Sequence, residues 1–144
     1  MCGLAGELRT DGSPADPAAV AGMTACMVHR GPDGNGLWAS GPVALGHRRL
    51  SIIDLSTAGA QPMVDAPEQL SLVFNGCIYN YEALRDELRA AGHVFFSTSD
   101  TEVVEKAYAE WGERFVEHFL GMFAIALFDR RTGRLVLALS LIHI

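Results

Sequence analysis

The chain has 144 residues, 49% of them hydrophobic and 19% charged, and its 17 acidic and 11 basic residues give a formal net charge of −6. This size and composition predict one globular domain with its own core, and the acidic balance argues against the basic footprint of a nucleic-acid-binding protein. No apolar run reaches the roughly 18–20 residues of a membrane-spanning helix, and the N-terminus lacks the regions of a signal peptide, so no membrane contact is expected.

The first half of the chain is predicted to hold a strand, a helix and a second strand. Residues 4–8 form a short apolar stretch that ends in turn residues, which is typical of a strand. Asp16 followed by Pro17 is typical of an N-cap with proline at the first helical position. The apolar residues at helical spacing behind this start are Val20, Met23, Met27 and Val28. A polar loop over 29–34 precedes a predicted strand over 43–53, whose middle is basic.

Two further helices are predicted in the second half. Asn80 is a candidate N-cap for a helix that stops at Gly92. The next helix begins at Ser99 or Asp100, and Ser99 and Glu102 have the spacing of a capping box. The apolar stripes of these helices are Tyr81, Leu84, Leu88 and Ala91 in the first, and Val103, Val104, Ala107, Tyr108 and Trp111 in the second.

Three apolar strands complete the predicted elements. One covers 70–74 and runs directly into Asn75-Gly76. The others cover 122–128 and 134–139, and the polar turn between them predicts a hairpin. Helices between and after paired strands favour a layered α+β domain without an internal boundary.

The cysteines suggest both a compartment and a chemistry. Cys2, Cys26 and Cys77 are odd in number and contain no CxxC pair, which predicts a reducing, cytoplasmic compartment. Removing Met1 would leave a thiol and a free α-amino group on Cys2, with unperturbed pKa values of about 8.5 and about 7.7–8.0. The amine can then take the proton of the thiol, directly or through one water. Nucleophile and base would therefore come from one residue.

Seven sequence blocks occur in the order typical of one enzyme family. They are Cys2-Gly3, His29-Arg30-Gly31-Pro32-Asp33, Gly46-His47-Arg48-Arg49-Leu50-Ser51-Ile52-Ile53-Asp54, Gly59-Ala60-Gln61-Pro62-Met63, Asn75-Gly76-x-Ile78-Tyr79-Asn80, Ser99-Asp100-Thr101-Glu102-Val103 and Gly121-Met122-Phe123-Ala124. Together they resemble the N-terminal glutaminase domain of glutamine-hydrolysing asparagine synthetase, a class II glutamine amidotransferase. The resemblance covers residues 1–138 and implies an N-terminal-nucleophile (Ntn) hydrolase fold, an α+β four-layer αββα sandwich with two antiparallel sheets.

The resemblance also implies how glutamine would be bound and hydrolysed. Cys2 would attack the side-chain amide, form a thioester and release ammonia, with the Asn75 side chain and the Gly76 N–H as the oxyanion hole. Arg49 matches the family residue that holds the α-carboxylate of glutamine, and Asp100 the one that holds its α-ammonium. The other pocket residues that the family pattern implies are Leu50, Ile52, Ile53 and Cys77.

Several of these residues also have a purely structural interpretation. Asn75-Gly76 after a strand is a common turn, although the family context reverses that preference. Arg49 has the alternative of a solvated strand arginine, and Asp100 that of a helix N-cap, a role it is expected to share.

Residues around the predicted site are interpreted as structural. His47 is expected to stay neutral beside Arg48 and Arg49, whose charges disfavour the imidazolium form. Arg48 is expected at the surface, on the opposite face of the strand from Arg49. The loop over 29–33 is expected to support the site, and the sequence indicates no metal site.

Two features depart from the family pattern. Cys77 stands where the family usually has Glu. Loss of that carboxylate is expected either to weaken glutamine binding or to disturb the loop, and it places a second thiol near Cys2. Residues 139–144 do not match the family continuation, so residues 1–138 are interpreted as an incomplete domain and 139–144 as an atypical tail that need not be native. Missing strands would then leave a sheet edge unpaired and apolar surface exposed.

The predicted function is the glutaminase half of an asparagine synthetase, a ligase of amino-acid biosynthesis that amidates aspartate with ammonia and ATP. Glutaminase chemistry is expected to need no cofactor, whereas ATP and Mg²⁺ would serve only the missing synthetase domain. The expected partners are glutamine and that domain, in a full-length protein whose oligomeric state stays open. The alternatives are a class II amidotransferase with another acceptor, and a catalytically silent module that docks to a synthetase partner.

Overall fold

Residues 2–140, which the computed structural model describes, form two antiparallel sheets with helices on their outer faces. Their strands are β1 (Gly3–Leu8), β2 (Gly34–Ser40), β3 (Val43–Arg49), β4 (Met63–Asp65), β5 (Leu70–Ile78), β6 (Gly121–Asp129) and β7 (Arg134–Ser140). The α-helices are α1 (Pro17–Ala25), α2 (Tyr81–Ala90) and α3 (Asp100–Trp111), and short 3-10 helices cover Val28–Arg30, Thr57–Gly59 and Gly112–His118. The first sheet has the strand order β1-β3-β2 and the second β4-β5-β6-β7.

Strand β3 is the centre of the first sheet, and its side chains alternate between two environments. Val43 and Leu45 face the second sheet, whereas Ala44 packs with Val20 of α1. At Gly46, on the α1 face, an added Cβ would lie 2.8 Å from the Val20 side chain. The glycine therefore lets α1 pack directly against the sheet as an outer layer.

Helices α2 and α3 cover the outer face of the second sheet and enclose the largest core. The buried residues that they contribute are Leu84, Leu88, Val103, Val104, Ala107 and Tyr108. Leu70, Leu72 and Phe74 meet them from alternate positions of β5. The predicted apolar stripes of both helices are confirmed except at Ala91, which is exposed.

The inner faces of the two sheets pack against each other. The buried residues between them are Val43 and Leu45 from the first sheet, and Val73, Ala126 and Phe128 from the second. The layers therefore follow the order helix, sheet, sheet, helix, as the predicted α+β sandwich requires.

The predicted strand over 43–53 is too long, because β3 ends at Arg49. Beyond that point the Leu50 N–H donates to the Cys2 thiol and the Ser51 N–H to the Asp33 carboxylate. The N–H groups of Leu50 and Ser51 are therefore used in loop contacts, and the segment after Arg49 does not pair as a strand.

Two further boundaries differ from the prediction. Strand β2 was not predicted, because its half-buried and exposed residues alternate around Gly34 and Gly36, which weaken a strand signal. Helix α1 ends at Ala25, so Met27 and Val28 lie beyond it. Met23, predicted on the apolar face, is 47% exposed.

The helix caps are partly as predicted. The Asp16 carboxylate accepts the Ala18 N–H at 2.9 Å, and the Ser99 hydroxyl accepts the Thr101 N–H at 3.0 Å. Gly92, at the predicted stop of α2, has a φ of +104°, a conformation that favours glycine.

Two predicted capping side chains have other partners. Asn80 precedes α2, but its side-chain amide donates to the His118 carbonyl and accepts the Leu120 N–H, each at 2.9 Å. The Glu102 carboxylate accepts the Ser97 N–H at 2.7 Å. Both side chains therefore secure neighbouring loops, and the predicted capping box does not form.

Strand β7 continues past residue 138, because Leu139 and Ser140 pair with Ala124 and Phe123 of β6. Residues 141–144 of the predicted tail lie outside the described residues. Across residues 2–140, no helix combines the length and apolar character that crossing a bilayer requires.

Candidate active site

A cavity of about 490 Å³ opens where β1 and β6 begin and β3 and β5 end, beside the N-terminus of α3. All nine residues predicted for the site line it, namely Cys2, Arg49, Leu50, Ile52, Ile53, Asn75, Gly76, Cys77 and Asp100. Strand alternation explains part of this convergence. Asn75 and Cys77 share the inner face of β5 with Val73, and Arg49 shares the inner face of β3 with Leu45.

The Cys2 thiol is held by the main chain of a single residue. The Leu50 N–H donates to Sγ at 3.3 Å, and the thiol donates to the Leu50 carbonyl at 3.6 Å. The Arg30 Nε donates to the Cys2 carbonyl at 3.2 Å. Contacts on both sides therefore fix the residue that directly precedes β1.

The loop over 29–33 supports the site, as predicted. The Asp33 N–H donates to the Arg49 carbonyl at 3.0 Å, and its carboxylate accepts the Ser51 N–H at 2.8 Å. A Cβ added at Gly31 would lie 2.4 Å from the Arg48 carbonyl carbon. The loop therefore packs directly on the chain that carries Arg49.

Strand β5 presents main-chain donors along one edge, because β4 pairs only with its first three residues. The Phe74 N–H donates to the Gln61 side chain at 2.6 Å, and the Ile78 N–H donates to the Asp100 carboxylate at 3.1 Å. Alternate N–H groups of a strand point to the same edge. The Gly76 N–H therefore points to this edge as well, between the other two.

Gly76 continues β5 and does not form the turn considered above. It pairs with Phe123 of β6, and an added Cβ would lie 2.3 Å from the Met122 carbonyl oxygen. A glycine is therefore required here for the approach of the two strands. The neighbouring Asn75 side chain lines the same cavity.

The Arg49 guanidinium is anchored by the loop after β3. Nη1 donates to the Ser56 carbonyl at 2.7 Å, and Nη2 donates to the Asp54 carbonyl. A Cβ added at Gly59 would lie 2.4 Å from Nη2. Arg49 therefore has a fixed position in the cavity wall, and the alternative of a solvated strand arginine is wrong.

Asp100 begins α3 and is only 4% exposed. Burial raises its pKa, and the N–H donors of Ile78 and Thr101 oppose that shift. Ser99 occupies the N-cap position, so Asp100 is not the cap.

Cys77 lines the cavity beside Asp100 and is half-buried. Burial raises the pKa of its thiol, and the Asp100 charge adds to the effect. The thiol form is favoured at this position, where the family pattern usually has a carboxylate.

His47 is fully buried between the sheets, and its Nε2 donates to the Phe74 carbonyl at 3.1 Å. Burial lowers its pKa to about 4, the bond to Phe74 opposes the shift, and the Arg49 charge adds to it. The structural interpretation of His47 is confirmed, with burial as the main cause.

Arg48 is on the opposite face of β3 from Arg49, as predicted. It is not a free surface residue, because its Nε donates to the Thr24 carbonyl, near the end of α1, at 3.1 Å.

Four polar residues of the cavity wall were not predicted as site residues, namely Asp54, Gln61, Ser99 and Thr101. Asp54 is 7% exposed and Gln61 is 8% exposed. The Gln61 side chain bridges β5 and α3, accepting the Phe74 N–H and donating to the Thr101 hydroxyl at 3.2 Å. All four residues lie inside blocks that carry the family resemblance, which was the available signal. Within residues 2–140, no cluster of His, Cys, Asp and Glu side chains is arranged to hold a metal ion.

The chain is similar to several known proteins. A glutamine amidotransferase domain family matches residues 1–140. The chain is 42% identical over 118 residues to asparagine synthetase [glutamine-hydrolyzing] 3 of Bacillus subtilis (strain 168), covering 81% of this chain and 19% of that protein. It is 42% identical over 154 residues to a putative asparagine synthetase [glutamine-hydrolyzing] of Mycobacterium tuberculosis (strain ATCC 25618 / H37Rv). That alignment covers 96% of this chain and 24% of that protein. It is 38% identical to asparagine synthetase [glutamine-hydrolyzing] 3 of Arabidopsis thaliana, in an alignment that covers 100% of this chain and 25% of that protein.

The chain therefore spans 19% to 25% of the length of these relatives. Among solved structures, glutamine phosphoribosylpyrophosphate amidotransferase from B. subtilis has a TM-score of 0.76 at 19% identity, covering 95% of this chain and 37% of that one. A similarity at this identity concerns the fold. The two sheets and their flanking helices therefore have a solved counterpart.

Proposed function

This chain belongs to the glutamine amidotransferase domain family, and we propose that it hydrolyses the side-chain amide of glutamine with Cys2 as the nucleophile. Its α+β fold is the Ntn-hydrolase sandwich. The observation that carries the proposal is the convergence of Cys2, Asn75, Gly76, Arg49 and Asp100 on one cavity.

In the proposed first step, the α-amine released by removal of Met1 takes the proton of the Cys2 thiol. The sulfur attacks the amide carbon, and the Asn75 side-chain amide and Gly76 N–H donate to the oxyanion. The C–N bond breaks, ammonia leaves with the returned proton, and a γ-glutamyl thioester remains. Water then cleaves the C–S bond, which yields glutamate and restores the thiol.

The substrate is proposed to lie between two fixed charges. The Arg49 guanidinium retains N–H groups beyond the two that the loop carbonyls use, so it can pair with the α-carboxylate. The Asp100 carboxylate would pair with the α-ammonium. Leu50, Ile52 and Ile53 form the wall beside Arg49.

We further propose that the ammonia serves the amidation of aspartate, because the relatives above are named glutamine-hydrolysing asparagine synthetases. The glutaminase step involves no cofactor in this scheme, and ATP and Mg²⁺ would act only on a synthetase domain. The three unpaired thiols support a cytoplasmic location as part of the proposal.

The test is an intact-mass measurement before and after exposure to a diazo-ketone analogue of glutamine. We expect loss of Met1 and a single adduct at residue 2. Cys2→Ala should abolish the adduct, whereas Cys26→Ala, which removes an exposed thiol outside the cavity, should leave it unchanged. A folded chain that has lost Met1 and forms no adduct would contradict the proposal.

A further inference from the structure

The Asp54 carboxylate joins two segments that are 44 residues apart in sequence and that carry the opposite ends of the proposed glutamine clamp. Its Oδ1 accepts the Ser56 N–H at 2.8 Å and the Ser56 hydroxyl at 2.6 Å. Its Oδ2 accepts the Thr98 N–H at 3.0 Å and the Thr98 hydroxyl at 3.1 Å. One carboxylate thus receives four donors, two from each segment.

The Ser56 side of this junction leads directly to Arg49. The carbonyl groups of Asp54 and Ser56 are the acceptors that hold the Arg49 guanidinium. The two Asp54 bonds to Ser56 close the short turn that brings both carbonyl groups to the same side. The shape of this turn therefore determines where the guanidinium lies.

The Thr98 side leads to Asp100, two residues further along the chain. Ser99 caps α3 directly after Thr98, and Asp100 is its first residue. Fixing the Thr98 main chain therefore fixes the entry of α3 and the position of the Asp100 carboxylate.

The charge of Asp54 suits this role. The side-chain bond from Ser56 and the N–H groups of Ser56 and Thr98 outweigh burial and lower its pKa to about 2. It remains an acceptor for all four donors throughout the neutral range. A buried carboxylate that joins two loops with charge-assisted bonds costs more to disrupt than a neutral pair.

We infer that Asp54 is a positioning residue that sets the separation between Arg49 and Asp100, and thereby the affinity for glutamine. The inference rests on the proposed function, because it assigns a role within the same site. Asp54 acts through the two clamp residues and takes no part in bond making or breaking.

The test is the steady-state kinetics of glutamine hydrolysis by Asp54→Asn. The amide keeps the size of the side chain but turns an NH₂ group toward N–H donors on one side. We expect KM to rise about tenfold, which corresponds to about 1.4 kcal/mol, with kcat changing less than about threefold. Thr98→Val removes only the hydroxyl donor and should give a smaller rise. The double variant should show less than the product of the single effects, because both changes break one junction.

Asp11→Asn is a matched control, because Asp11 accepts the Ser13 N–H and hydroxyl at 3.0 and 2.6 Å in an exposed turn outside the cavity. Its kinetics should equal those of the wild type. Alkylation of Cys2 by iodoacetamide, followed by peptide mass mapping, needs no clamp and should keep its rate in Asp54→Asn. Reaction with the diazo-ketone analogue should slow about tenfold.

An unchanged KM, or a fall in kcat alone, would overturn the inference. So would loss of iodoacetamide reactivity in a folded variant, which would assign Asp54 to the nucleophile. If Asp54→Asn does not fold, an unchanged KM in Thr98→Val overturns the inference. A wild-type chain that neither hydrolyses glutamine nor reacts with the analogue would overturn the proposed function itself.

Discussion

At the scale of single residues, the two ends of the proposed clamp are fixed before any ligand binds. Arg49 is held by loop carbonyls, and the Asp100 carboxylate accepts the Ile78 N–H. Such prior fixing lowers the entropic cost of binding a small, charged amino acid. Glutamine affinity should therefore respond to small displacements of these groups.

Gly59→Ala should displace Arg49 without unfolding the protein. The new Cβ would lie 2.4 Å from Nη2 and 3.2 Å from the Asp54 Cβ, so the end of the Arg49 side chain must leave its position on the loop carbonyls. We expect KM for glutamine to rise about tenfold while the unfolding midpoint in urea stays close to that of the wild type. Gly22→Ala has open space around its Cβ and should leave KM unchanged. Equal KM values in the two variants would contradict this role of Gly59.

Cys77→Glu should strengthen glutamine binding. A carboxylate beside Asp100 would give the α-ammonium a second acceptor, and we expect KM to fall about threefold to tenfold. Cys77→Ser adds no charge and should keep the wild-type KM. Because it removes the second thiol near Cys2, it should also reduce inactivation by mild oxidant. Identical kinetics and oxidant sensitivity in all three chains would remove any role for position 77.

At the scale of secondary-structure elements, α3 contains several buried charged residues. Nine of its twelve residues are buried, among them Glu105, which is fully buried beside the Lys106–Asp65 ion pair. Burial, and then the Asp65 charge, raise the pKa of Glu105 to about 8. A carboxyl whose pKa is raised on folding costs stability once the pH exceeds its unfolded value of about 4.5.

Glu105→Gln should therefore stabilise the protein in a pH-dependent way. The cost grows from pH 4.5 toward pH 8, so at pH 7 the variant should gain up to about 3 kcal/mol in free energy of unfolding. Below pH 4.5 the carboxyl is protonated in both states and the two chains should be equally stable. Urea unfolding at pH 4 and pH 7 measures both values. A variant that is less stable at pH 7 would show that the charge of Glu105 supports the fold.

The elements also show how far the sequence predicts this fold. The strands with continuous apolar runs (β5, β6 and β7) and the amphipathic helices α2 and α3 follow from periodicity. The family blocks predict nine site residues, and all nine line one cavity. Strand β2 escaped prediction because glycine and half-exposed positions carry little strand signal. Asp54 and Gln61 were not predicted as site residues because the contacts that tie them to β5 and to the start of α3 span 13 to 44 residues, and periodicity contains no information about such contacts.

At the scale of the whole molecule, β7 leaves apolar surface in contact with water. Leu135 packs against the core between the sheets, but Leu137 and Leu139 further along the same face are 72% and 70% exposed. An exposed apolar strand at the edge of a sheet favours association between copies.

Leu137→Lys should reduce self-association without affecting the site, because Leu137 does not line the cavity. We expect light scattering at rising protein concentration to show a smaller increase in apparent mass, with unchanged glutamine kinetics. Thr10→Lys adds the same charge in an exposed turn and should not have this effect. If both variants behave alike, net charge and not the apolar strand controls association.

The brevity of β4 has a consequence for how such a site can arise. Met63 pairs with Leu72, so the same register, if continued, would set Gly59 opposite Gly76 and saturate its N–H with a neighbouring strand. The chain before Pro62 instead turns away from β5, and the Asp54 and Ser56 carbonyl groups of that segment hold Arg49. In the proposed mechanism, the oxyanion donor is therefore an unpaired N–H beyond the end of the β4–β5 ladder, and glutamine would take the place of the Gly59 carbonyl that a β4 longer by four residues would offer. A longer β4 would therefore occupy the Gly76 N–H and abolish the proposed hydrolysis, while leaving every proposed catalytic side chain in place.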